Sequence, residues 1–352
     1  MSVPSPDRPT SGAPLRLGVV GCGAVAERYH LPALMNAPDV VITAFVDPDA
    51  ERARALAARV PGAIPASEVD AVIKHLDAVL LTAPNAVHAS VGVPLLQQGV
   101  HLLVEKPMAR TAAECDALLS AASMSGAVLA IGHDFRHFPV ARYARQLFAS
   151  GLLGDILSVD VRQSAGGRWP YASAAALSPE AGGGVLLDFG VHLLDLLLWW
   201  LGDLRAVAAR DDAEGGIETE SEVELTLANG APLVLELSRS RDLRDTVVIE
   251  CEHATVEVGV FEPALVRLTL RAGDLDLDGT VPDASFARAA MPTVFGRQLA
   301  HFGQAVRGEA AEICTGEEGR RVVALVEACY ALRQPWRQPW DYPEAFAAVG
   351  RT

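Results

Sequence analysis

The sequence predicts two fold classes in succession. An α/β domain with a parallel sheet comes first, and an α+β domain with a mostly antiparallel open sheet follows it. Up to about residue 133, short apolar runs alternate with helix-forming stretches, which is typical of β-α-β units. Beyond residue 134, strand-like runs follow one another, and several alternate polar and apolar residues. Such alternation favours antiparallel strands with one covered face.

The elements of the first domain follow from that alternation. The first strand, 15–20, is an apolar run that ends in a glycine-rich turn, and each later strand is likewise short and apolar. The stretches between the strands are long enough for crossover helices. The other predicted strands are 40–46, 77–82, 100–104 and 127–131, and the predicted helices are 24–36, 50–59, 86–98 and 112–124.

The second domain is predicted from strands that lack intervening helices, with two helices near the end of the chain. Residues 1–14 contain Pro, Ser and Gly without an apolar core, so they predict a disordered tail and no signal peptide. We therefore expect domains at 15–133 and 134–352. The predicted strands are 156–163, 220–227, 232–238, 246–252, 255–260 and 265–271, and the helices are 295–307 and 317–332.

Composition excludes several classes of function. The chain of 352 residues carries 29 basic and 44 acidic groups, a net charge of −15, and it has no basic tract. Nucleic-acid and anionic-membrane partners are therefore not expected. Its five cysteines are far apart, which argues against a disulfide framework or structural metal site and favours the cytoplasm. The most apolar run, 185–201, contains two Asp and one His, so no membrane span is predicted.

A glycine motif directly follows the first strand. Gly21, Gly23 and Ala26 form the pattern GxGxxA. In a dinucleotide-binding Rossmann domain the first glycine permits a tight turn, the second admits a pyrophosphate, and the third small residue lets helix and strand pack. The backbone N–H groups at Ala24 and Val25, where the next helix begins, would then face the phosphates.

An acidic residue ends the second strand. Asp47 lies 26 positions after Gly21, near the spacing expected for a carboxylate that binds a ribose hydroxyl. Because a carboxylate repels a 2′-phosphate, Asp47 favours NAD over NADP, although Arg52 and Arg54 would soften that preference. The alternative interpretation is an ordinary glycine turn beside a surface Asp.

The third strand of the first domain ends at a further group of polar residues. Thr82, Pro84 and Asn85 follow the point where strand order should reverse, which is where nucleotides bind in doubly wound sheets. We assign them to the cofactor site and expect Asn85, together with His88, to face the nicotinamide end. For His88, a polar residue at the start of a helix is an equal alternative.

The dipeptide Glu105-Lys106 precedes Pro107 at the end of another strand. Proline biases Lys106 toward an extended conformation, so the side chain would project into the ligand crevice beside Glu105, which we assign to the cofactor site. Burial is expected to lower the pKa of Lys106 into a catalytically useful range. The alternative is an exposed loop lysine. Lys74 is the only other lysine in the chain.

A second constellation follows the glycines of 182–184. Asp188 and His192 are four residues apart, and Asp195 continues the same helical stripe. Polar groups on an otherwise apolar helix require partners or a cavity, and a carboxylate can orient a histidine. We expect the glycines to allow a substrate or cofactor to approach closely. The alternative is a core histidine satisfied by Asp188.

Taken together, these motifs resemble the glucose–fructose oxidoreductase / inositol dehydrogenase / rhizopine catabolism (Gfo/Idh/MocA) family. The stretches that carry the resemblance are GCGAVAERYHLPAL, TAPNAVH, EKP and GGGVLLDFGVHLLD, in that order, and the resemblance covers about residues 15–335. It implies a Rossmann domain, a second domain on a mostly antiparallel sheet, an NAD or NADP cofactor, and a homodimer or homotetramer.

The resemblance also implies roles for individual residues. Lys106 matches the catalytic lysine, and Asp188 and His192 match the acidic residue and histidine of the family. We expect hydride transfer between nicotinamide and a secondary alcohol or ketone carbon of a sugar, polyol or nucleotide sugar. His192 would act as the base, Asp188 would orient it, and Lys106 would bind the reacting oxygen. The predicted substrate contacts are Arg136, Arg162, Trp169 and Tyr171.

Three features leave alternatives open. The stretch Asp134-Phe135-Arg136 departs from the family's commoner Asn-Arg-Arg, and for each arginine taken singly a solvated position or a subunit interface is the favoured alternative. The resemblance also allows a glycosidase that uses bound NAD for transient oxidation. A dinucleotide-binding sensor without turnover is the alternative from another class, although Lys106, Asp188 and His192 together disfavour it.

Overall fold

A computed structural model describes residues 13–164, 183–214, 216–259, 265–271, 276–280 and 291–336. The expected tail up to residue 12, and the predicted substrate contacts Trp169 and Tyr171, lie outside the described residues. The described chain is built on two sheets. Each sheet packs helices against it, and the carboxyl edge of the first sheet faces the second half of the chain.

The first sheet has seven strands. They are β1 (Leu15–Val20), β2 (Val40–Val46), β3 (Ile64–Ala66), β4 (Ala78–Leu81), β5 (His101–Glu105), β6 (Leu129–Gly132) and β15 (Cys314–Thr315). Their order is β15-β6-β5-β4-β1-β2-β3, and all pairs are parallel except the one that β15 makes with β6. Strand order reverses between β1 and β4, as in a Rossmann domain. The predicted parallel α/β domain is confirmed.

Helices connect the strands of the first sheet. Residues 24–35 are helical throughout and contain a π-helical turn, Ala26–His30, followed by α1 (Leu31–Met35). The others are α2 (Ala50–Ala57), α3 (His88–Gln97) and α4 (Ala112–Ser125). Asp49 caps α2, and Thr111 caps α4. Such side chains stabilise a helix start by accepting from free N–H groups.

The second sheet has nine strands. They are β7 (Ile156–Ser164), β8 (Leu204–Asp211), β9 (Glu220–Leu227), β10 (Pro232–Ser238), β11 (Thr246–Cys251), β12 (Ala254–Gly259), β13 (Leu265–Leu270), β14 (Asp276–Thr280) and β16 (Arg333–Pro335). The order is β14-β13-β12-β11-β7-β10-β9-β8-β16, with parallel pairs only at β7–β10 and β8–β16. The sheet is therefore open and mostly antiparallel, as predicted.

The helices of the second half pack against both sheets. They are α5 (Pro139–Ala149), α6 (Val191–Leu201), α7 (Met291–Val306) and α8 (Gly316–Leu332), and a π-helical turn, Leu186–Gly190, leads into α6. Phe295, Leu299 and Phe302 of α7 are buried with residues of β1 and β2. The end of the chain therefore returns to the first sheet, and β15 extends that sheet.

Several elements differ from the sequence prediction. The sequence prediction assigned no element between 134 and 156, but α5 begins there at Pro139, which occupies the first turn of the helix and has a fixed φ suited to a helix start. The strand β8 follows α6 directly, and most of its residues are small or charged, so it lacks a long apolar run. The strands β3, β15 and β16 have only two or three residues, too few for a periodic pattern.

In the described part of the chain, no helix is both long enough and apolar enough to cross a membrane.

Candidate active site

The carboxyl ends of β1, β2, β4, β5 and β6 meet at one edge of the first sheet, as the parallel register requires. Nearly every functional residue predicted in the first domain follows one of these strands. Residues from the π-helical turn Leu186–Gly190, from α6 and from the end of β10 complete the opposite wall. The crevice between these walls is the candidate active site, in the position where doubly wound sheets bind ligands.

The glycine turn after β1 has the geometry that a dinucleotide requires. Gly21 has φ +96°, and a Cβ there would lie 2.5 Å from the backbone nitrogen of Ala83. The hydroxyl of Thr82 donates to the Gly21 carbonyl at 2.6 Å. A Cβ at Gly23, by contrast, would have no atom within 4 Å. The turn is thus packed tightly on one side and open at Gly23, where a pyrophosphate would meet the helix that starts at Ala24.

Asp47 is buried directly behind this turn. One carboxylate oxygen accepts from the backbone N–H of Cys22 at 2.8 Å, and the other accepts from that of Asp49 at 2.9 Å. Asp47 therefore links the glycine turn to the end of β2. Each oxygen keeps a further lone pair, so these bonds leave Asp47 able to accept from a ribose hydroxyl.

The residues after β4 divide into two groups. Pro84 and Asn85 form the start of a short 3₁₀ turn, Asn85–Val87, at the rim of the crevice. His88, the first residue of α3, is buried, and its two ring nitrogens lie 3.0 Å from the Pro107 carbonyl and 2.8 Å from the Ala83 carbonyl. Burial lowers the pKa of His88 and outweighs the hydrogen bonds to the two carbonyls, which raise it. His88 joins the loops after β4 and β5, which is the structural alternative rather than the expected contact with nicotinamide.

Glu105, the last residue of β5, is also held within the protein. His30, from the π-helical turn, places its Nε2 2.6 Å from Oε1, and the backbone N–H of Lys106 donates to Oε2 at 3.1 Å. Burial opposes ionisation, but the hydrogen bond with His30 and the charges of His30 and Lys106 hold the pKa of Glu105 below its usual value. Glu105 is therefore a buried anion beneath the loop that carries Lys106.

Lys106 crosses the crevice to the opposite wall. Its ammonium donates to the backbone carbonyl of Asp188 at 2.7 Å and to the Asp188 carboxylate at 3.1 Å. Arg239, just after β10, donates to the other carboxylate oxygen at 2.6 Å. Since an ammonium has three N–H donors, these two bonds leave one donor of Lys106 for a ligand. The side chain of Lys106 is 18% exposed and that of Asp188 39% exposed, so the crevice opens on the Asp188 side.

The expected lowering of the lysine pKa is wrong. Burial does lower it, but the negative charges of Asp188 and Glu105 and the hydrogen bond to Asp188 outweigh burial and raise the pKa of Lys106 above its usual value. Opposite charges at this distance favour the charged form. Lys106 is thus a permanent cation and hydrogen-bond donor at neutral pH, not a neutral amine.

His192, on the first turn of α6, lies in the same crevice. Its ring stacks on Phe135 with centroids 4.0 Å apart and an angle of 15° between the planes. Burial, followed by the charges of Lys106 and His133, lowers the pKa of His192 well below its usual value. The ring is therefore neutral and can accept a proton.

The carboxylate that faces His192 is not the expected one. Asp188 is bound to Lys106 and Arg239, whereas Oδ1 of Asp134 lies 3.3 Å from Nδ1 of His192. The i, i+4 spacing predicted an Asp188–His192 contact on a regular helix. However, Asp188 lies in a π-helical turn, whose wider spacing changes which side chains align.

Arg136, predicted to contact substrate, is buried away from the opening. Its guanidinium donates to both oxygens of Asp195, at 2.8 and 2.7 Å, and to Glu318 at 2.8 Å. Asp195 also has His133 and Cys314 as neighbours. His133, Asp195 and Cys314 could form a metal-ligand set, but the guanidinium of Arg136 already occupies the cation position beside Asp195. Arg136 thus joins α6 to α8 internally.

Two further expectations concern the second domain. Arg162 projects from β7 and is half exposed, and it bonds Asp160 on its own strand at 3.0 Å.

The glycines before α6 were expected to admit a ligand. Instead, a Cβ at Gly184 would lie 2.4 Å from the Glu218 carboxylate. That carboxylate accepts from the backbone N–H of Leu186 at 3.0 Å. The missing side chain of Gly184 therefore leaves room for the Glu218 carboxylate, which caps the helical turn that begins at Leu186.

Two site residues, His30 and Asp134, were not among the predicted ones, and Arg239 was expected to shape the substrate pocket, whereas it bonds Asp188. A usable signal existed only for Asp134, because it follows β6 at the same edge as Lys106 follows β5, and the stretch His133–His137 is polar and aromatic throughout. The contacts of His30 and Arg239 join residues 75 and 51 positions apart, and no local pattern encodes such pairs.

Comparison with known proteins agrees with this geometry. Residues 15–133 match the family model described as the Gfo/Idh/MocA oxidoreductase family with an NAD-binding Rossmann fold, and residues 141–257 match that of the Gfo/Idh/MocA C-terminal domain. Together these matches cover well over half of the chain.

Individual relatives act on nucleotide-linked sugars. The chain is 30% identical to UDP-N-acetylglucosamine 3-dehydrogenase of Acidithiobacillus ferrooxidans, over 88% of this chain and 94% of that enzyme. It is 35% identical to dTDP-3,4-didehydro-2,6-dideoxy-α-D-glucose 3-reductase of Streptomyces violaceoruber, over 58% of this chain but only 60% of that enzyme's length.

A solved structure has the same fold. The 3-ketoreductase of Actinomadura kijaniata, in complex with NADP and TDP-benzene, superposes with a TM-score of 0.77 at 24% identity, over 92% of this chain and 98% of that one. On the two family matches and the nearly full-length relative, the chain belongs to the Gfo/Idh/MocA family of NAD(P)-dependent oxidoreductases.

Proposed function

We propose that this protein transfers hydride between NAD(P) and carbon 3 of a hexose carried on a nucleoside diphosphate. The observation that carries the proposal is the position of Lys106. It directly follows β5, the strand next to β4, at whose other side strand order reverses. Two of its three N–H donors bond Asp188, and among the described residues the third has no protein partner. The two relatives and the solved structure support carbon 3 and the nucleotide carrier through their names.

The chain's own residues would divide the work at the reacting oxygen. A bound nicotinamide would supply the hydride acceptor or donor. The Lys106 ammonium would donate to the substrate oxygen and stabilise the negative charge that develops there. His192, neutral and fixed on Phe135, would take the hydroxyl proton during oxidation and return it during reduction. Asp188 would hold Lys106 in place through its carbonyl and carboxylate.

The cofactor would lie along the turn from Gly21 to Val25. The fit rests on the open face at Gly23 and the N–H groups at Ala24 and Val25 that begin the helix. Thr82, Pro84 and Asn85 would line the path toward the nicotinamide. Asp47 favours NAD, since its carboxylate would repel the 2′-phosphate of NADP.

A substrate and cofactor panel tests the proposal. Purified protein is incubated with NAD or NADP and with UDP- and dTDP-linked hexoses, free sugars and polyols, and the reduced cofactor is followed by its ultraviolet absorbance. We expect turnover with a nucleotide-linked hexose and a preference for NAD. Release of free sugar without net change in cofactor would support the glycosidase alternative. Cofactor binding without turnover on the whole panel would support the sensor alternative.

We further propose that the protein works in the cytoplasm as a homodimer or homotetramer. All five cysteines are buried and unpaired, which suits a reducing compartment. The oligomeric state follows from the family resemblance, and light scattering coupled to gel filtration measures it. A monomer at working concentration would contradict this part of the proposal.

A further inference from the structure

One buried carboxyl group remains unexplained by the roles given above. Asp134 lies two residues after the end of β6, with His133 between them. It is at the edge of the sheet where Lys106 follows β5. Only 5% of the residue is exposed. Its Oδ1 lies 3.3 Å from Nδ1 of His192. A carboxyl group hidden from water in this way requires a partner, and the imidazole of His192 lies close enough to supply one.

The contact is close but not aligned. Nδ1 of His192 is buried and makes no well-aligned hydrogen bond within the described structure. The ring itself is held by Phe135, the residue after Asp134, through the 4.0 Å stack. Because one short segment supplies both the stacking ring and the carboxyl group, a small rotation of the Asp134 side chain would complete the bond without moving His192.

The rival carboxylate is already engaged. Asp188 accepts from Lys106 with one oxygen and from Arg239 with the other, so it serves the lysine rather than the histidine. Asp188 and Asp134 therefore have separate partners, Asp188 with Lys106 and Asp134 with His192.

We propose that Asp134 positions His192 and shares with it the proton that is exchanged with the substrate oxygen. This inference rests on the proposed function. During oxidation the substrate O–H bond breaks, its proton forms an Nε2–H bond on His192, and Nδ1–H donates to the Asp134 carboxylate. The carbinol C–H bond breaks at the same time, and its electron pair leaves as hydride to the nicotinamide. Reduction reverses each transfer, so atoms and charge balance.

The surrounding charges set the pH range of this pair. Glu105 at the end of β5 and Asp195 on α6 face Asp134 with negative charge. Lys106 faces it with positive charge. His133 and Arg136 on its own segment and His192 on α6 complete its surroundings. Burial and then the charge of Glu105 raise the pKa of Asp134 to about 8. Under this proposal the two groups titrate as a unit. The pair therefore holds one proton below that pH, ready for reduction, and none above it, ready for oxidation.

Nuclear magnetic resonance on the full-length protein tests the pair without any substrate. The ring nitrogens of His192 and the carboxyl carbon of Asp134 are followed from pH 6 to pH 10, a window around the pKa of about 8 for Asp134. We expect both groups to shift together in one transition. In Asp134→Asn, which keeps the size but cannot titrate, the His192 transition should disappear from this window. Asp155→Asn, at an exposed carboxyl group, should leave it unchanged.

The kinetic arm uses the same variants with the substrate found by the panel. We expect Asp134→Asn to lower kcat by about a hundredfold, to leave KM within a few-fold, and to abolish the rise of the oxidation rate through the transition. Separate transitions for the two groups in the wild type would overturn the inference. This titration needs only the wild-type protein, so it is decisive even if Asp134→Asn does not fold. An unaltered His192 transition in a folded Asp134→Asn would overturn it as well. A protein that turns over no sugar but passes the resonance test would contradict the proposed function alone.

Discussion

At the scale of single residues, the crevice separates a fixed cation from a neutral base. Lys106 is paired with Asp188 and stays charged, while burial keeps His192 neutral. The sequence analysis identified both residues but paired Asp188 with His192, whereas in the structure Asp188 is bound to Lys106. It also reversed the direction of the lysine pKa shift. Both errors have one cause: the partners of a buried charge are set by tertiary contacts, and burial alone does not determine the direction of a pKa shift.

Arg136 offers a residue-scale prediction that concerns stability rather than activity. Its guanidinium and the Asp195 carboxylate are both buried and form two hydrogen bonds. Removing one partner leaves an uncompensated charge, so we expect Arg136→Met to lower the free energy of unfolding by about 3–5 kcal/mol. Urea denaturation measures the loss.

Two controls accompany that measurement. Arg320→Met removes an exposed ion pair with Asp116 and should cost far less. The double variant Arg136→Met/Asp195→Leu removes both buried charges and should recover most of the loss. A loss equal to that of Arg320→Met would show that Arg136 is not structural and would reopen its role as a substrate contact.

At the scale of elements, both described π-helical turns flank the dipeptide Glu105-Lys106. The turn Ala26–His30 supplies His30 to Glu105, and the turn Leu186–Gly190 supplies the carbonyl and carboxylate of Asp188 to Lys106. Such turns are rare and often mark functional sites. Sequence patterns predicted helix at both places, since one extra residue in a turn leaves the apolar periodicity nearly intact. The π-helical spacing therefore emerged only in the structure.

The glycine turn gives an element-scale prediction with a built-in comparison. Gly21→Ala would place a Cβ 2.5 Å from Ala83 at a left-handed backbone position, whereas Gly23→Ala would meet no protein atom within 4 Å. We expect Gly21→Ala to lower the melting temperature in the absence of cofactor. Gly23→Ala should keep the melting temperature and weaken NAD(P) binding at least tenfold, about 1.4 kcal/mol.

Calorimetry of both variants separates the two effects. Scanning calorimetry without cofactor reports the fold, and titration calorimetry with NAD and NADP reports binding. If Gly23→Ala bound both cofactors as tightly as the wild type, the pyrophosphate would not lie against this turn.

At the scale of the whole molecule, the two sheets could be predicted in outline, together with a reversal of strand order in the first. The parallel sheet was readable from alternating strands and helices, and the mostly antiparallel sheet from period-2 runs such as β9 and β10. The return of α7 and β15 to the first sheet could not be predicted from their late position in the chain. Since sequence patterns report which face of an element is apolar but not which sheet covers it, this packing required the structure.

A whole-molecule prediction concerns pH and stability. The pKa of Asp134 is raised to about 8 by burial and the charge of Glu105, so between its unfolded value of about 4 and about 8 the folded state binds more protons than the unfolded state. Stability contributed by this group is present at low pH and is lost as pH rises through that window. We expect the melting temperature of Asp134→Asn to rise relative to that of the wild type as the pH is raised from 5 to 9.

Scanning calorimetry at several pH values checks the sign. The melting temperature of Asp155→Asn, a change at an exposed position, should have the same pH dependence as that of the wild type. A constant difference between Asp134→Asn and the wild type at every pH would mean that Asp134 is ionised throughout, as an ordinary surface carboxylate is.

The measurement that tests the central claim most directly is deuterium transfer from carbon 3. A UDP- or dTDP-linked hexose with deuterium on carbon 3 is incubated with NAD or NADP, and the reduced cofactor is analysed by mass spectrometry. We expect deuterium in the cofactor with the wild type and with Lys74→Ala, the only other lysine, and a rate about a hundredfold lower with Lys106→Ala. Transfer by Lys106→Ala at the wild-type rate, or no deuterium in the cofactor with any such sugar, would contradict the account.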